Sequence, residues 1–172
     1  MKMSVKKLSF LAMLIAMASA VHYLEGLLPP ILPSVPGTKI GLANIFSLFA
    51  LCAMGVGEGF TVMVVRCFVG TLLGGSVTGL IYAISGGTLS CTIMAVLLKV
   101  FHHKLSLYGV STAGAFLHNL GQMLAACLVM GNGYVFYYFP YLALISIPAG
   151  LLTGLCTDFC IKSLKRGGFL LK

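Results

Sequence analysis

Acidic residues are scarce in this sequence. The chain of 172 residues contains three, Glu25, Glu58 and Asp158, and no two of them are adjacent. Enzymes that hold Mg²⁺ on diphosphate groups need several hard oxygen ligands close together, typically clustered aspartates. Three isolated carboxylates do not form such a cluster. The chain by itself is therefore not a conventional metal-dependent enzyme of diphosphate chemistry.

Charge of either sign is also low. Charged residues make up 8% of the chain, whereas 59% of the residues are hydrophobic and the mean hydropathy is +1.07. A water-soluble domain of this length has too small an interior to bury so much apolar surface, which predicts an integral membrane protein. No soluble domain, low-complexity tract or convincing internal repeat is found. Residues 1–172 are therefore expected to form a single transmembrane domain.

Motifs that bind cofactors are missing as well. The six cysteines lie in apolar segments without CxxC or Cys/His spacing, so we expect neither a disulfide nor a metal site. No Ser-His-Asp, P-loop or dinucleotide-binding pattern occurs, and the SGG and GGS glycines are interpreted as helix-packing positions. We therefore expect no cofactor, and active transport by this chain would need partner ATPases.

Six apolar segments are separated by Gly, Pro or charged residues, which predicts an all-α fold with six transmembrane helices. The segments extend over about Leu8–Leu28, Ile40–Met54, Phe60–Leu73, Leu80–Phe101, Gly109–Met130 and Pro140–Ser163. The second and third are shorter than the ~20 residues that a helix needs to cross a bilayer. They are expected either to be tilted or to have different ends from those predicted.

The basic residues predict how the chain is oriented. Of eleven Lys and Arg residues, nine fall on one side of the six-helix arrangement, only Lys39 falls on the other, and Arg66 lies inside a segment. Basic residues collect in cytoplasmic loops, so both termini are expected in the cytoplasm of a multi-pass protein of the cell membrane. Because the charges lie at segment ends rather than in one block, nucleic acid is not an expected partner.

The first segment allows two interpretations. The stretch from Lys6 to Ala20 resembles a secretory signal with its cleavage site. The apolar character continues past Ala20 through VHYLEGLL, however, which favours a retained helix. Within that helix, Ala12, Ala16 and Ala20 recur every four residues and share a face where another helix can approach closely in lipid.

The fifth segment carries the most polar side chains. His118, Asn119 and Gln122 follow the start of GVSTAGAFLHNLGQ, at a depth of ~14–20 Å along a helix. Lipid cannot satisfy their donors and acceptors, so they are expected to face protein or a water-filled cavity. Either they hold helices together by hydrogen bonds, or they line a binding site. Three polar groups within five residues favour the site.

Arg66 stands midway along the third segment. A guanidinium at that depth costs about 2.5 kcal/mol or more and needs a partner or a cavity. Glu58 is expected in the turn before the segment, and Asp158 is expected to pair locally with Lys162. Glu25 is the best candidate partner if Arg66 reaches outward, although no acid stands at its depth. Arg66 either caps helix carbonyls or joins a ligand site.

The predicted ligand site combines these residues into an outward-facing polar path. The candidate ligand-binding residues are Lys39, Asn44, Arg66, His118, Asn119 and Gln122. Lys39 would lie at the mouth, with Asn44 below it and Arg66 at the bottom. Such a path suits a small molecule with an anionic or carbonyl group and an apolar body.

Several runs also carry a resemblance that covers nearly the whole chain. The stretches PSVPGTKIGLANI, AISGGTLSCTIM and GVSTAGAFLHNLGQ, together with Arg66 followed by Gly70, are similar to the small membrane family called Gx transporters, also labelled heptaprenyl diphosphate synthase component I. The combination of PGxKxGLAN with GAxxHNxGQ is specific. The family in turn resembles the substrate-binding S components of energy-coupling-factor vitamin transporters.

The resemblance implies a six-helix S-component-like bundle whose ligand site opens outward. Its first helix would dock on a transmembrane coupling subunit through AxxxA, which Ala12 and Ala16 match and Ala20 continues. The Pro29–Lys39 loop and the outer halves of segments four to six would form the mouth. The implied function is uptake of a small anionic or aromatic metabolite, with membrane lipid, a coupling subunit and ATPases as partners.

Two other functions stay open. The family label implies a non-catalytic membrane partner in isoprenoid or menaquinone biosynthesis. A solitary channel or a membrane assembly protein is the third possibility. Loss of uptake on removal of a coupling ATPase distinguishes the first function, and co-purification with a prenyl synthase distinguishes the second.

Overall fold

The chain folds as a bundle of α-helices, shown in a computed structural model that describes residues 5–28, 41–74, 77–101 and 105–166. Its helices are α1 (Val5–Leu27), α2 (Asn44–Ala53), α3 (Val56–Gly74), α4 (Val77–Val100), α5 (Leu107–Met130) and α6 (Phe139–Arg166), with a 3₁₀ turn at Gly133–Tyr138 before α6. No strand occurs within these ranges, which confirms the all-helical prediction. Five of the helical segments are long and apolar enough to span a membrane.

The ends of α2 and α3 differ from the prediction. Helix α2 begins at Asn44 rather than near Ile40, because the backbone of Gly41 has a φ of 85° that does not continue into a helix. Helix α3 begins at Val56 rather than near Phe60, so most of the GVGEG stretch forms its first turn. The connection consists of Met54 and Gly55, and Gly55 has a φ of 131°. Helix α2 therefore has 10 residues and a length of only ~15 Å.

One end of the bundle is marked by an ion pair between Lys7 of α1 and Glu58 of α3. We call this the Lys7 end. Ile161 and Leu164 of α6 pack into the same apolar cluster as Leu11 of α1, which brings the last described helix back to this end. The first and last described turns of the chain thus lie at one end of the bundle.

Helices α4, α5 and α6 approach each other so closely that two positions require glycine. A Cβ atom on Gly121 of α5 would lie 2.8 Å from the Cα atom of Gly86 in α4. A Cβ atom on Gly150 of α6 would lie 2.4 Å from the Cα atom of Thr112 in α5. Both obstacles are backbone atoms, which cannot rotate away as a side chain does. The three helices therefore pack backbone against backbone.

We expect Gly150→Ala to destabilise the protein by about 1–3 kcal/mol, the usual cost of overpacking a well-packed interior. Thermal unfolding in detergent measures this as a lowered midpoint. Gly57→Ala is the matched control, because a Cβ atom there meets nothing within 4 Å and the residue also lies in a helix. Equal midpoints for the two variants would contradict the close packing of α5 and α6.

Candidate functional site

Arg66 is the largest fully buried side chain in the described part of the molecule, with 1% of its surface exposed. It lies ten residues after the start of α3, or ~15 Å along the helix axis, which is half the thickness of a hydrocarbon core. Its Nη2 donates to Oδ1 of Asn44 at 2.6 Å, and its Nη1 lies 3.5 Å from Nδ1 of His22. Because a guanidinium only donates, Nδ1 of His22 is the acceptor in this contact.

Asn44 is the first residue of α2, and the N-terminus of this short helix lies beside Arg66. The backbone N–H of Leu42 donates to Oε1 of Glu25 at 2.7 Å, and the N–H of Ala43 contacts Oε2 at 3.5 Å. The carboxylate of Glu25 is itself buried. A carboxylate is stabilised at a helix N-terminus by the unpaired N–H groups and the positive end of the helix dipole.

Glu25, the candidate partner if Arg66 reached outward, is not the salt-bridge partner of Arg66. The carboxylate of Glu25 lies on the amides that precede α2, and among the described residues no carboxylate forms a salt bridge with Arg66. The Nε of Arg66 has no hydrogen-bond partner in that part of the chain. Both Nη atoms of Arg66 contact side chains, and within the described residues neither is bonded to a helix carbonyl oxygen as the capping alternative requires.

His118 and Gln122 of α5 complete the cluster. Both are buried, and Nε2 of Gln122 lies 3.0 Å from Nε2 of His118, as expected for residues that share a helix face. A Cβ atom on Gly41 would lie 2.9 Å from Cδ2 of His118 and 3.0 Å from Nδ2 of Asn44. Gly41 thus packs tightly between the side chains of His118 and Asn44, with no space for a Cβ atom. We call His22, Glu25, Asn44, Arg66, His118 and Gln122 the Arg66 cluster.

Asn119 faces a different part of the protein. Its Nδ2 donates to the carbonyl oxygen of Leu142 in α6 at 3.0 Å, so this residue joins α5 to α6 as the helix-packing alternative predicted. Lys39 and the rest of the Pro29–Lys39 loop lie outside the described residues. Of the six predicted ligand-binding residues, the structure brings four together: Asn44, Arg66, His118 and Gln122.

The sequence interpretation missed the contribution of α1 to this cluster. His22 and Glu25 are three residues apart, and both are buried in a helix that is otherwise almost entirely apolar. That spacing on one face was the available signal. Gly70, one turn after Arg66, leaves room for His22, because a Cβ atom there would lie 2.4 Å from Cδ2 of the imidazole.

The alanine stripe of α1 lies on the outside of the bundle. Ala12, Ala16 and Ala20 are exposed, whereas Leu11 and Leu14 face the interior. The stripe is therefore not used for packing within the described chain. Asp158 and Lys162 form the expected local ion pair, with Nζ 2.6 Å from Oδ2.

The Arg66 cluster offers one permanent positive charge, one carboxylate, two imidazoles and two amides in an apolar interior. Polar groups at membrane depth are costly and mark sites of function by default. Together these groups are able to orient a polar ligand by hydrogen bonds.

The comparisons with known proteins give a family. The model of the family described as heptaprenyl diphosphate synthase component I matches residues 14–160. No curated protein and no solved structure matches the chain. The matched range covers most of the chain and contains all six residues of the Arg66 cluster. The chain therefore belongs to the heptaprenyl diphosphate synthase component I family.

Proposed function

We propose that this protein is the membrane component of a prenyl diphosphate synthase system and binds a polar small molecule at the Arg66 cluster. The chain is not an enzyme by itself, in keeping with a family named for one component of a synthase. One observation carries the proposal: the three carboxylates are held in three separate structural contacts. Glu25 caps α2, Glu58 pairs with Lys7, and Asp158 pairs with Lys162.

The catalytic metal chemistry must then come from a partner. Prenyl transfer places Mg²⁺ on a diphosphate through several carboxylates, which this chain does not have in one place. A partner subunit with clustered aspartates would supply them. The membrane component would hold the complex at the bilayer, where a growing prenyl chain is soluble.

The test is co-purification. The tagged chain, extracted in mild detergent, is expected to retain an Asp-rich prenyl synthase and its chain-elongating activity, and deletion of the chain should release that activity from the membrane. Elongation that stays membrane-bound without the chain, and a tagged protein that retains no synthase, would overturn the proposal.

A substrate-binding subunit for uptake is the second candidate function. The exposed alanine stripe of α1 and the buried Arg66 cluster are the observations that favour it. A coupling subunit would dock on the stripe, and ATPases would drive transport of an anionic or aromatic metabolite. Uptake that disappears with the ATPases would establish this function, and normal membrane-bound synthase activity in a strain that lacks this chain would exclude the first.

We further propose that the bundle lies in the cell membrane with six passages and both termini in the cytoplasm. The shared position of α1 and α6 at the Lys7 end supports it, as do the basic residues. Reporter fusions at Gly37, His103, Asn132 and Lys172 are expected to read outside, inside, outside and inside. A C-terminus outside the cell would contradict this topology.

A further inference from the structure

The backbone amides of Leu42 and Ala43, just before α2, form an anion-binding position that the carboxyl group of Glu25 occupies. We propose that the carboxylate of Glu25 is an internal occupant of this site, and that the carboxylate or phosphate group of a ligand displaces it on binding. This inference rests on the proposed ligand site at the Arg66 cluster. It adds where the ligand's anion is bound and what leaves when it arrives.

The first observation is the position of the helix end. The first residue of α2, Asn44, contacts Arg66, which lies about 15 Å along α3 and near the middle of that helix. Its preceding N–H groups, on Leu42 and Ala43, point at the Glu25 carboxylate. Half-helices that begin at membrane depth direct their positive ends at anionic groups of substrates in several transporter folds. Here that position is taken by a side chain of the same protein.

The second, independent observation is the guanidinium of Arg66. It is 1% exposed, and its Nε has no hydrogen-bond partner among the described residues. The Nε and Nη2 atoms form the edge that grips a carboxylate or phosphate through two parallel hydrogen bonds. Nη2 is bonded to Asn44, the first residue of α2, so this edge faces the helix end. The Nε–H of Arg66 is therefore available to donate to an oxygen atom of a bound anion.

The two observations fit a single exchange. An incoming anion would take the N–H groups of Leu42 and Ala43 together with the Nε of Arg66, which Glu25 does not contact. The Nε of Arg66 is a charge-assisted donor that is unused in this structure, and its bond to the ligand would favour the exchange. Glu25 keeps the amides of Leu42 and Ala43 satisfied when no ligand is bound, because an unpaired buried N–H is costly.

The test measures the binding of inorganic diphosphate and of farnesyl diphosphate to the purified full chain in detergent by calorimetry. Glu25→Gln removes the competing charge and keeps a hydrogen-bond acceptor, so at least one probe should bind on the order of ten-fold more tightly. Arg66→Gln should weaken the binding by about 5- to 150-fold. Tighter binding of farnesyl diphosphate than of inorganic diphosphate would identify the natural ligand as a lipid-borne anion. Equal binding of the two probes would identify it as a soluble anion. Glu58→Gln makes the same chemical change at the Lys7 end and should leave the affinity unchanged.

The outcomes separate the two proposals. If Arg66→Gln binds both probes as well as the unmodified chain, the ligand site itself is wrong. If Arg66→Gln weakens binding but Glu25→Gln binds no more tightly, the site stands and the internal occupant is overturned. Binding that also tightens in Glu58→Gln would show a general charge effect and overturn it too.

A second measurement does not depend on the folding of Glu25→Gln. The chain contains two glutamates, so Glu58→Gln protein labelled with ¹³C-glutamate carries the label at Glu25 alone. Infrared difference spectra on addition of inorganic diphosphate should show a shift of this carboxylate band as it leaves the amides. A band that stays unchanged while the probe binds would overturn the displacement.

Discussion

Replacing Arg66 with glutamine is expected to weaken ligand binding by about 1–3 kcal/mol, the usual loss when a charge-assisted hydrogen bond is removed. Glutamine keeps an amide donor that reaches towards Asn44, but it has no charge and no Nε. Native mass spectrometry of the purified protein would measure this as a reduced fraction that retains its small molecule. His118→Ala should weaken binding by a similar amount.

The same variants distinguish a binding site from a structural network. If the cluster binds a ligand, the unfolding midpoint of ligand-free Arg66→Gln should stay within a few degrees of that of the unmodified chain. Asn119→Ala is the matched control, because Asn119 is equally buried on α5 but bonds to α6. It should lower the unfolding midpoint with little effect on binding. The opposite pattern, with Arg66→Gln unfolded, would make the Arg66 cluster a structural network.

The second large effect is expected at the alanine stripe. Ala16→Trp places a large ring on an exposed face where small residues allow a partner helix to approach closely. We expect it to abolish the recovery of a membrane partner with the tagged chain while the isolated protein still folds and binds its ligand. The partner would be a coupling subunit if the chain serves uptake, and a synthase component if it belongs to a prenyl diphosphate synthase system.

The next residue provides the control. Met17 is 48% exposed, and it points about 100° away from Ala16 around the helix. Met17→Trp introduces the same ring with the same contact to lipid and should leave assembly intact. Loss of the partner in both variants would mean that any bulk on this helix is harmful. Loss in neither would leave the stripe without a role in docking.

Part of this site could be predicted from the sequence because polarity is so rare in it. Arg66 and His118 stand out in apolar runs, and lipid leaves such groups few places to go. Their depths along regular helices follow from the residue count. The contact between His118 and Gln122 follows from the helical period. These inferences needed no tertiary information.

Other features depended on contacts that the sequence pattern does not contain. The left-handed backbone of Gly41 shortens α2, and glycine allows but does not require that conformation. Adjacent residues on α5 divide between two neighbours, with His118 against Gly41 and Asn119 against Leu142. Which neighbour each one meets is decided by how the helices are arranged. The arrangement of the helices likewise places the carboxylate of Glu25 on the amides before α2 and not on the guanidinium of Arg66.

The bond between Asn44 and Arg66 bears on how the ribosome-bound chain enters the bilayer. Helix α2 has 10 residues, fewer than a spanning segment needs, and the charge of Arg66 in α3 costs about 2.5–3.5 kcal/mol on translocon scales. The helices that carry these two residues are joined by a single tight turn at Gly55, so α2 and α3 leave the ribosome in close succession. We expect the translocon to insert α2 and α3 together as one helical hairpin. Helix α1, whose Glu25 carboxylate contacts the amides just before α2, would be inserted before them.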